Sequence, residues 1–148
     1  MSIFHREKKE KAIIVGCGRL GSQLADLLSD ENQHVTILDR DGAAFRKLSS
    51  AFGGLVLEGD GSDFDMLVEA GAHDATILAV TTDDDDTNIM IGLMGKEILH
   101  IEAVVVRLND TAKKAAIADS GIAVLSPSTL CVAEFQRLLD ARKGEGEA

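Results

Sequence analysis

The chain has 148 residues, enough for one domain with a buried core, and its 15 Lys and Arg against 25 Asp and Glu give a formal net charge of −10. This charge would repel a phosphate backbone, so we expect no nucleic-acid partner. With two cysteines, no signal-peptide pattern and no apolar run near the ~20 residues that cross a bilayer, we expect a cytoplasmic protein that is not itself transmembrane.

Short apolar runs alternate with longer amphipathic stretches along nearly the whole chain. The apolar runs predict strands at residues 12–15, 35–39, 55–58, 76–80, 103–108 and 122–125. The stretches between and after them predict helices near residues 20–29, 43–51, 64–70, 87–99, 111–119 and 129–142. This alternation predicts an α/β fold, a doubly wound six-stranded parallel sheet with helices on both faces.

The first predicted strand leads directly into a glycine-rich loop, GCGRLG at residues 16–21. Gly16, Gly18 and Gly21 have the spacing of a dinucleotide-binding loop, where glycines allow a tight turn, close approach to pyrophosphate and packing of helix on strand. The helix that follows would direct its N-terminal N–H groups at the anion. The motif therefore predicts a Rossmann-like fold with a bound nucleotide.

Charged side chains end the second and third predicted strands, at the sheet edge where such folds bind ligands. Asp39 lies about 20 residues beyond the glycine loop, where a carboxylate accepts hydrogen bonds from ribose hydroxyls. Arg40 could reach a phosphate or cover the adenine, or could simply be exposed. Asp60 follows the third strand, where the adenine would lie, and could also form a turn that leads to Ser62.

Hydroxyl and charged residues end the fourth and fifth predicted strands. Thr81 and Thr82 would face the glycine loop, where they could meet a phosphate or ribose. The four aspartates at residues 83–86 either stabilise a helix N-terminus or hold a divalent ion, and we predict no metal site. Arg107 needs a partner inside an apolar strand, which a nucleotide phosphate, the aspartates or a subunit contact could provide.

The chain has no recognisable apparatus for catalysis. It contains no tyrosine, no P-loop lysine pattern and no second domain to form a substrate pocket. We therefore expect binding without turnover, and an NAD(H)-dependent oxidoreductase or redox-sensing subunit is the alternative.

The predicted helix at residues 87–99 has two apolar faces. The face that we expect to pack on the sheet comprises Met90, Leu93, Met94, Ile98 and Ile101. The opposite face, whose small residues would allow close self-association, comprises Asn88, Gly92, Gly95 and Leu99.

Taken together, these motifs resemble the RCK or KTN domains, the cytoplasmic nucleotide-binding regulators of potassium channels and of Trk- and Ktr-type potassium uptake systems. The matching stretches, in order over residues 12–130, are IIVGCGRLGSQLA, VTILDRD, EGDGSD, AVTTDDDDTNI, VVVRLND and GIAVLSPSTL. The resemblance implies an adenine nucleotide in the crevice, with ATP, ADP or AMP ahead of NAD(H). It also implies a homo-oligomer and a potassium-translocating membrane partner, at whose cytoplasmic face the domain would lie.

The resemblance also implies roles for individual residues. The loop that contacts the phosphates would comprise Gly16, Cys17, Gly18, Arg19, Leu20 and Gly21. Asp39 and Arg40 would lie at the ribose, Asp60 and Gly61 at the adenine, and Thr81 and Thr82 at the phosphates. Arg107 matches an interface or phosphate contact. We expect one RCK N-terminal domain over residues 12–142, between a charged tail at 1–11 and a flexible tail at 143–148, without the C-terminal lobe of many family members.

Overall fold

Six strands form one parallel sheet in the computed structural model, which describes residues 9–146. The strands are β1 (Lys11–Val15), β2 (His34–Asp39), β3 (Leu55–Glu58), β4 (Ile77–Val80), β5 (Ala103–Arg107) and β6 (Ala123–Leu125). Their order is β3-β2-β1-β4-β5-β6, with every neighbouring pair parallel. The predicted Rossmann-like sheet is thus confirmed, and its strand order reverses between β1 and β4, where such sheets form a ligand crevice.

Four α-helices join or follow the strands: α1 (Arg19–Asp30), α2 (Phe64–Glu69), α3 (Asp85–Leu93) and α4 (Pro127–Gly146). A π-helical turn, Met94–Ile98, continues α3. Helix α4 begins with proline, whose missing N–H costs nothing there, and it includes residues 143–146 of the predicted flexible tail. The outer parts of the two predicted tails, residues 1–8 and 147–148, lie outside the described residues.

Two predicted α-helices, at residues 43–51 and 111–119, are instead short 3₁₀ segments, Gly42–Lys47 and Thr111–Ile117. Each segment follows an aspartate, Asp41 or Asp110, whose carboxylate accepts the backbone N–H two residues later. Such a cap begins a turn without selecting the type of helix, since Asp63 accepts the Asp65 N–H in the same way at the start of the α-helix α2. The prediction of α-helices was wrong at both places.

The core lies on both faces of β1 and its neighbours. Successive side chains of a strand point to opposite faces, so the fully buried Ile13 packs with Leu78 and Val106, and Ile14 packs with Ile37 on the other side. Both clusters consist almost entirely of aliphatic side chains. Parallel strands covered on both faces require this composition.

The two faces of α3 and its π-helical turn are largely the reverse of the predicted ones, although Ile101 is buried in the core as predicted and Leu93 and Met94 pack partly against it. Gly92 and Gly95 face the sheet, where an added Cβ would come within 2.6 Å of a β5 side chain and 2.3 Å of a β4 side chain, respectively. Asn88 is fully buried, whereas Met90 and Ile98 are 46% and 59% exposed. The small residues therefore let the helix approach the sheet, and the predicted self-association face was wrong.

Helix α4 extends away from the core. None of its described residues is buried, and four large apolar side chains are more than half exposed: Leu130, Val132, Phe135 and Leu138. Between residues 9 and 146, none of the helices combines the length and apolarity needed to span a membrane.

Candidate functional site

A cleft of about 430 Å³ opens at the carboxyl edge of the sheet, beside the point where the strand order reverses. The loops after β1, β2, β3 and β4 all contribute to its walls. Of the residues singled out in the sequence, those that line it are Gly16, Cys17, Gly18, Asp39, Arg40, Asp60, Gly61, Thr81 and Thr82. Residues far apart in the chain thus meet at one edge, because parallel strands end on the same side.

The cleft is also lined by residues that were not among the predicted nucleotide contacts, although the aspartates among them were considered as helix-stabilising or ion-binding residues. These lining residues are Val15, Asp41, Ala44, Lys47, Gly59, Ser62, Asp83, Asp84, Thr87 and Ile91. Ser62 had a signal in its turn motif, whereas Lys47 lies in the misassigned 3₁₀ segment.

Four of the singled-out residues lie beside the cleft rather than in its walls. At the start of α1, Arg19 is exposed and Leu20 is half-buried. Gly21, at the end of the glycine loop, is buried against Gly16. Arg107 is half-buried at the end of β5, 4.0 Å from the Asp83 carboxylate, and its Nε donates to Asn109. Asp83 is one of the partners that the sequence left open for Arg107, and a nucleotide phosphate or a subunit contact remains a prediction.

The three glycines of the loop serve three different purposes. Gly16 has a φ of +98°, and a Cβ there would lie 3.0 Å from the peptide that joins Thr81 to Thr82. A Cβ on Gly21 would lie 1.8 Å from the Gly16 carbonyl oxygen, so helix α1 packs directly on the loop. A Cβ on Gly18 would have no described atom within 4 Å and would project into open space.

The N-terminus of α1 is suited to an anion. Its N-cap residue is Gly18, which has no side chain to accept the first N–H groups, and its first turn carries no acidic residue. The first N–H groups of a helix lack partners within the helix and carry a partial positive charge. The N–H of Gly18 and those of the first turn of α1 are therefore available in and beside the wall of the cleft, which fits the phosphates of a nucleotide.

Asp39 joins the glycine loop to the end of β2. One carboxylate oxygen accepts the N–H of Cys17 at 2.8 Å and the other accepts that of Asp41 at 2.8 Å. A carboxylate oxygen has two lone pairs, so each oxygen of Asp39 still has one for a ribose hydroxyl.

The Cys17 thiol lies beside Asp39 and is buried. Burial, together with the nearby Asp39 charge, raises the pKa of this thiol, whose sulfur lies 3.4 Å from the Ala44 carbonyl oxygen. The thiol is therefore neutral and unreactive.

Asp60 forms the turn that the sequence suggested as an alternative, and it lines the cleft as well. Its carboxylate accepts both the hydroxyl of Ser62 at 2.7 Å and the Ser62 N–H at 2.9 Å. The hydrogen bond from the hydroxyl, with that from the N–H, lowers the pKa of Asp60. A Cβ on Gly61 would lie 2.4 Å from a methyl group of Val15, so this loop rests directly on β1.

The end of β4 is held by a residue whose role the sequence did not reveal. Asn88 accepts the N–H of Thr82 at 3.1 Å and donates to the Thr82 carbonyl at 3.0 Å. It also donates to the Arg107 carbonyl at 2.9 Å, which joins the end of β4 to the end of β5. Helical periodicity placed Asn88 on an outward face, and only its position in the TTDDDDTNI stretch could have pointed to the site.

The four consecutive aspartates point to different partners. Their contacts are Asp83 with Arg107 at 4.0 Å, Asp84 with the Thr87 N–H at 2.9 Å, Asp85 with the N–H groups of Asn109 and Asp110 at 2.8 and 2.9 Å, and Asp86 with Lys113 at 3.0 Å. The hydrogen bond from Thr87 lowers the pKa of Asp84. Over residues 9–146, no group of three or more His, Cys, Asp or Glu side chains is placed to hold a metal ion.

Comparison with known proteins connects this cleft to characterised relatives. The TrkA-N domain family matches residues 12–127. The Trk system potassium uptake protein TrkA of Streptomyces coelicolor is 40% identical over 98 residues, which cover 66% of this chain and 44% of that protein. The chain spans less than half the length of this protein and of two similar TrkA homologues from Pyrococcus species.

Two solved structures of one channel show the same fold with different ligands. The GsuK channel bound to NAD has a TM-score of 0.78 and 25% identity, covering 92% of this chain and 24% of that one. GsuK bound to ADP has a TM-score of 0.75 and 25% identity, covering 90% of this chain and 34% of that one.

Proposed function

The chain belongs to the TrkA-N domain family, and on that premise we propose that it is a non-enzymatic regulatory subunit that binds an adenine nucleotide. Nucleotide occupancy would alter the arrangement of paired domains, and a potassium channel or a Trk- or Ktr-type potassium transporter would respond. Such coupling requires that the nucleotide bind the two arrangements with different affinity.

The observation that carries the proposal is the juxtaposition of an uncapped helix N-terminus with Asp39 in one cleft. The N–H groups of the glycine loop, together with Arg19, would hold phosphates, and Asp39 with Arg40 would hold the ribose. The loop of Asp60 would lie against the adenine. Lys47 adds a second cation to the walls, which helps to offset the negative charge of the chain.

The titratable groups of the cleft support binding without turnover. The pKa values of Asp60 and Asp84 are lowered by their hydrogen bonds, so both are ionised and weakly basic near neutral pH. The thiol of Cys17 has a raised pKa and is unsuited to nucleophilic attack. We therefore place ATP, ADP or AMP first as ligand. NAD(H) is the second candidate ligand, which the NAD-bound GsuK channel supports. The alternative function is an NAD(H)-dependent oxidoreductase or a redox-sensing subunit.

We assign the partner contacts to two exposed apolar surfaces. The outer face of α3 and its π-helical turn forms a groove of about 430 Å³ lined by Asp86, Ile89, Met90, Leu93, Met94, Glu97, Ile98 and Ala116. The second surface is α4, with its four exposed apolar side chains. Exposed apolar surface is typical of interfaces, which supports association with a second copy or another protein. The location that we propose, at the cytoplasmic face of a potassium-translocating membrane partner, rests on the similarity to TrkA potassium uptake proteins.

Thermal stability against a panel of nucleotides tests the binding step. We expect AMP, ADP and ATP to raise the melting temperature most, NAD⁺ and NADH less, and NADP⁺ least, because Asp39 would repel a 2′-phosphate. A ligand at 100 times its Kd adds ~2.7 kcal/mol to the free energy of unfolding. A panel without any stabilising ligand would contradict the proposal.

The regulatory step needs a separate measurement. Potassium flux through a Trk- or Ktr-type transporter in vesicles would be compared with and without the chain, and with and without ADP. We expect the flux to depend on both additions together. Catalysed oxidation of NADH by the chain, without the transporter and with an added hydride acceptor, would favour the alternative function.

A further inference from the structure

Asn88 uses its whole side-chain amide inside the protein. It is fully buried in α3, and its Oδ1 accepts both the N–H and the hydroxyl of Thr82. Its Nδ2 donates to the carbonyls of Thr82 and Arg107 at 3.0 and 2.9 Å. The two donor hydrogens and the acceptor oxygen of the side chain are thus all engaged. A side-chain amide is suited to this position because it combines N–H donors with a carbonyl acceptor.

The peptide that Asn88 holds is also the support of the glycine loop. An ideal Cβ on Gly16 would lie 3.0 Å from the carbonyl carbon and oxygen of Thr81 and from the nitrogen of Thr82. The Thr81 hydroxyl also donates to the Gly16 carbonyl at 3.0 Å. A displacement of the peptide between Thr81 and Thr82 would therefore displace the loop.

From this geometry we infer that Asn88 is a positioning residue for the phosphate-binding loop. Within the described part of the chain it does not line the cleft, so it acts through Thr82 and Gly16 and not by touching the ligand. The inference rests on the proposed function, because it assumes that phosphates bind at the glycine loop. Asn88 also joins that support to the end of β5, which keeps the two strand ends in register.

Asn88→Asp is the sharpest perturbation, because it keeps the shape of the side chain and replaces its donor by an acceptor. The carbonyl oxygens of Thr82 and Arg107 would then face a carboxyl oxygen, so the peptide that follows Thr82 would shift away and displace the adjoining peptide between Thr81 and Thr82. Calorimetric titration with ADP and with adenosine separates positioning from general damage, because adenosine lacks the phosphates. We expect ADP to bind about tenfold more weakly and adenosine to change less than about twofold.

Asn109→Asp is the matched control. It makes the same substitution, and adds the same charge, at an exposed residue whose Nδ2 makes only a 3.4 Å contact with the Asp83 carbonyl. We expect its ADP affinity to stay within about twofold of the wild-type value. Equal weakening of ADP and adenosine by Asn88→Asp, an unchanged ADP affinity, or an equal loss in Asn109→Asp would each overturn the inference.

A measurement on the wild-type chain keeps the inference testable even if Asn88→Asp does not fold. The side-chain amide resonances of Asn88 should shift when ADP is added to the ¹⁵N-labelled protein, and should shift much less with adenosine. Resonances that do not move with ADP would overturn the inference. A wild-type chain that binds neither ADP nor adenosine would overturn the proposed function as well, whereas normal ADP binding by Asn88→Asp overturns only the role of Asn88.

Discussion

Gly21→Ala should destabilise the protein at the contact between α1 and the glycine loop. The added Cβ would lie 1.8 Å from the Gly16 carbonyl oxygen and 2.7 Å from the Thr81 hydroxyl oxygen. The Gly16 carbonyl belongs to the backbone and cannot rotate away as a flexible side chain can, so α1 must move. This movement weakens the 3.0 Å hydrogen bond from the Thr81 hydroxyl to the Gly16 carbonyl. Overpacking costs up to about 3 kcal/mol and the hydrogen bond about 1, and the better helix propensity of alanine returns about 1.

The net loss of about 3 kcal/mol should lower the melting temperature by roughly 6–12 °C for a domain of this size. Thermal unfolding followed by circular dichroism measures this shift. Gly18→Ala is the matched control: Gly18 has an ordinary φ of −83° and open space around it, so stability should stay within about 1 kcal/mol.

ADP binding distinguishes the same two variants in another way. The new methyl group of Gly18→Ala would occupy the open space in which we place the phosphates, so ADP should bind more weakly although the fold is intact. The reasoning is refuted if Gly21→Ala melts at the wild-type temperature, or if Gly18→Ala melts as low as Gly21→Ala.

Three further predictions concern α3. Burial of Asp85 raises the pKa of its carboxyl, but backbone N–H groups outweigh that effect and the net pKa is lowered. The ionised carboxyl therefore contributes its full stabilisation above the pKa of the unfolded state, about 3.9, and loses it as the pH falls towards the pKa of the folded state. In Asp85→Asn, the free energy of unfolding measured with urea should consequently depend less on pH below about pH 4. Gly92→Ala should cost about 1–3 kcal/mol in urea unfolding, because its Cβ would meet β5, and wild-type stability would contradict the reversed faces. Met90→Glu should weaken self-association in sedimentation at an unchanged melting temperature, and an unaltered profile would exclude the groove as an interface.

The sheet and the cleft were largely predictable because their signals are local. The third strand was predicted at its observed bounds, Leu55–Glu58, and β1 differs from its prediction by one residue. Asp39, Asp60 and Thr81 meet in the cleft because each lies at or just after the end of a parallel strand. Parallel strands end at the same edge of the sheet, so the strand prediction alone places these residues near one another. The segment Gly42–Lys47 was mispredicted because apolar periodicity does not distinguish a short 3₁₀ segment from an α-helix.

The sequence by itself determined the class of fold, a six-stranded parallel sheet covered by helices, together with the glycine loop and the family, since buried apolar runs and glycine spacing have few alternative interpretations. Only the tertiary structure decided which face of α3 is inside. Both faces are nearly free of charge. Periodicity therefore separated the two faces but did not show which of them packs on the sheet. The inner face follows from close packing: glycines let the helix backbone approach β4 and β5, and the buried Asn88 then finds all its hydrogen-bond partners at the ends of those strands.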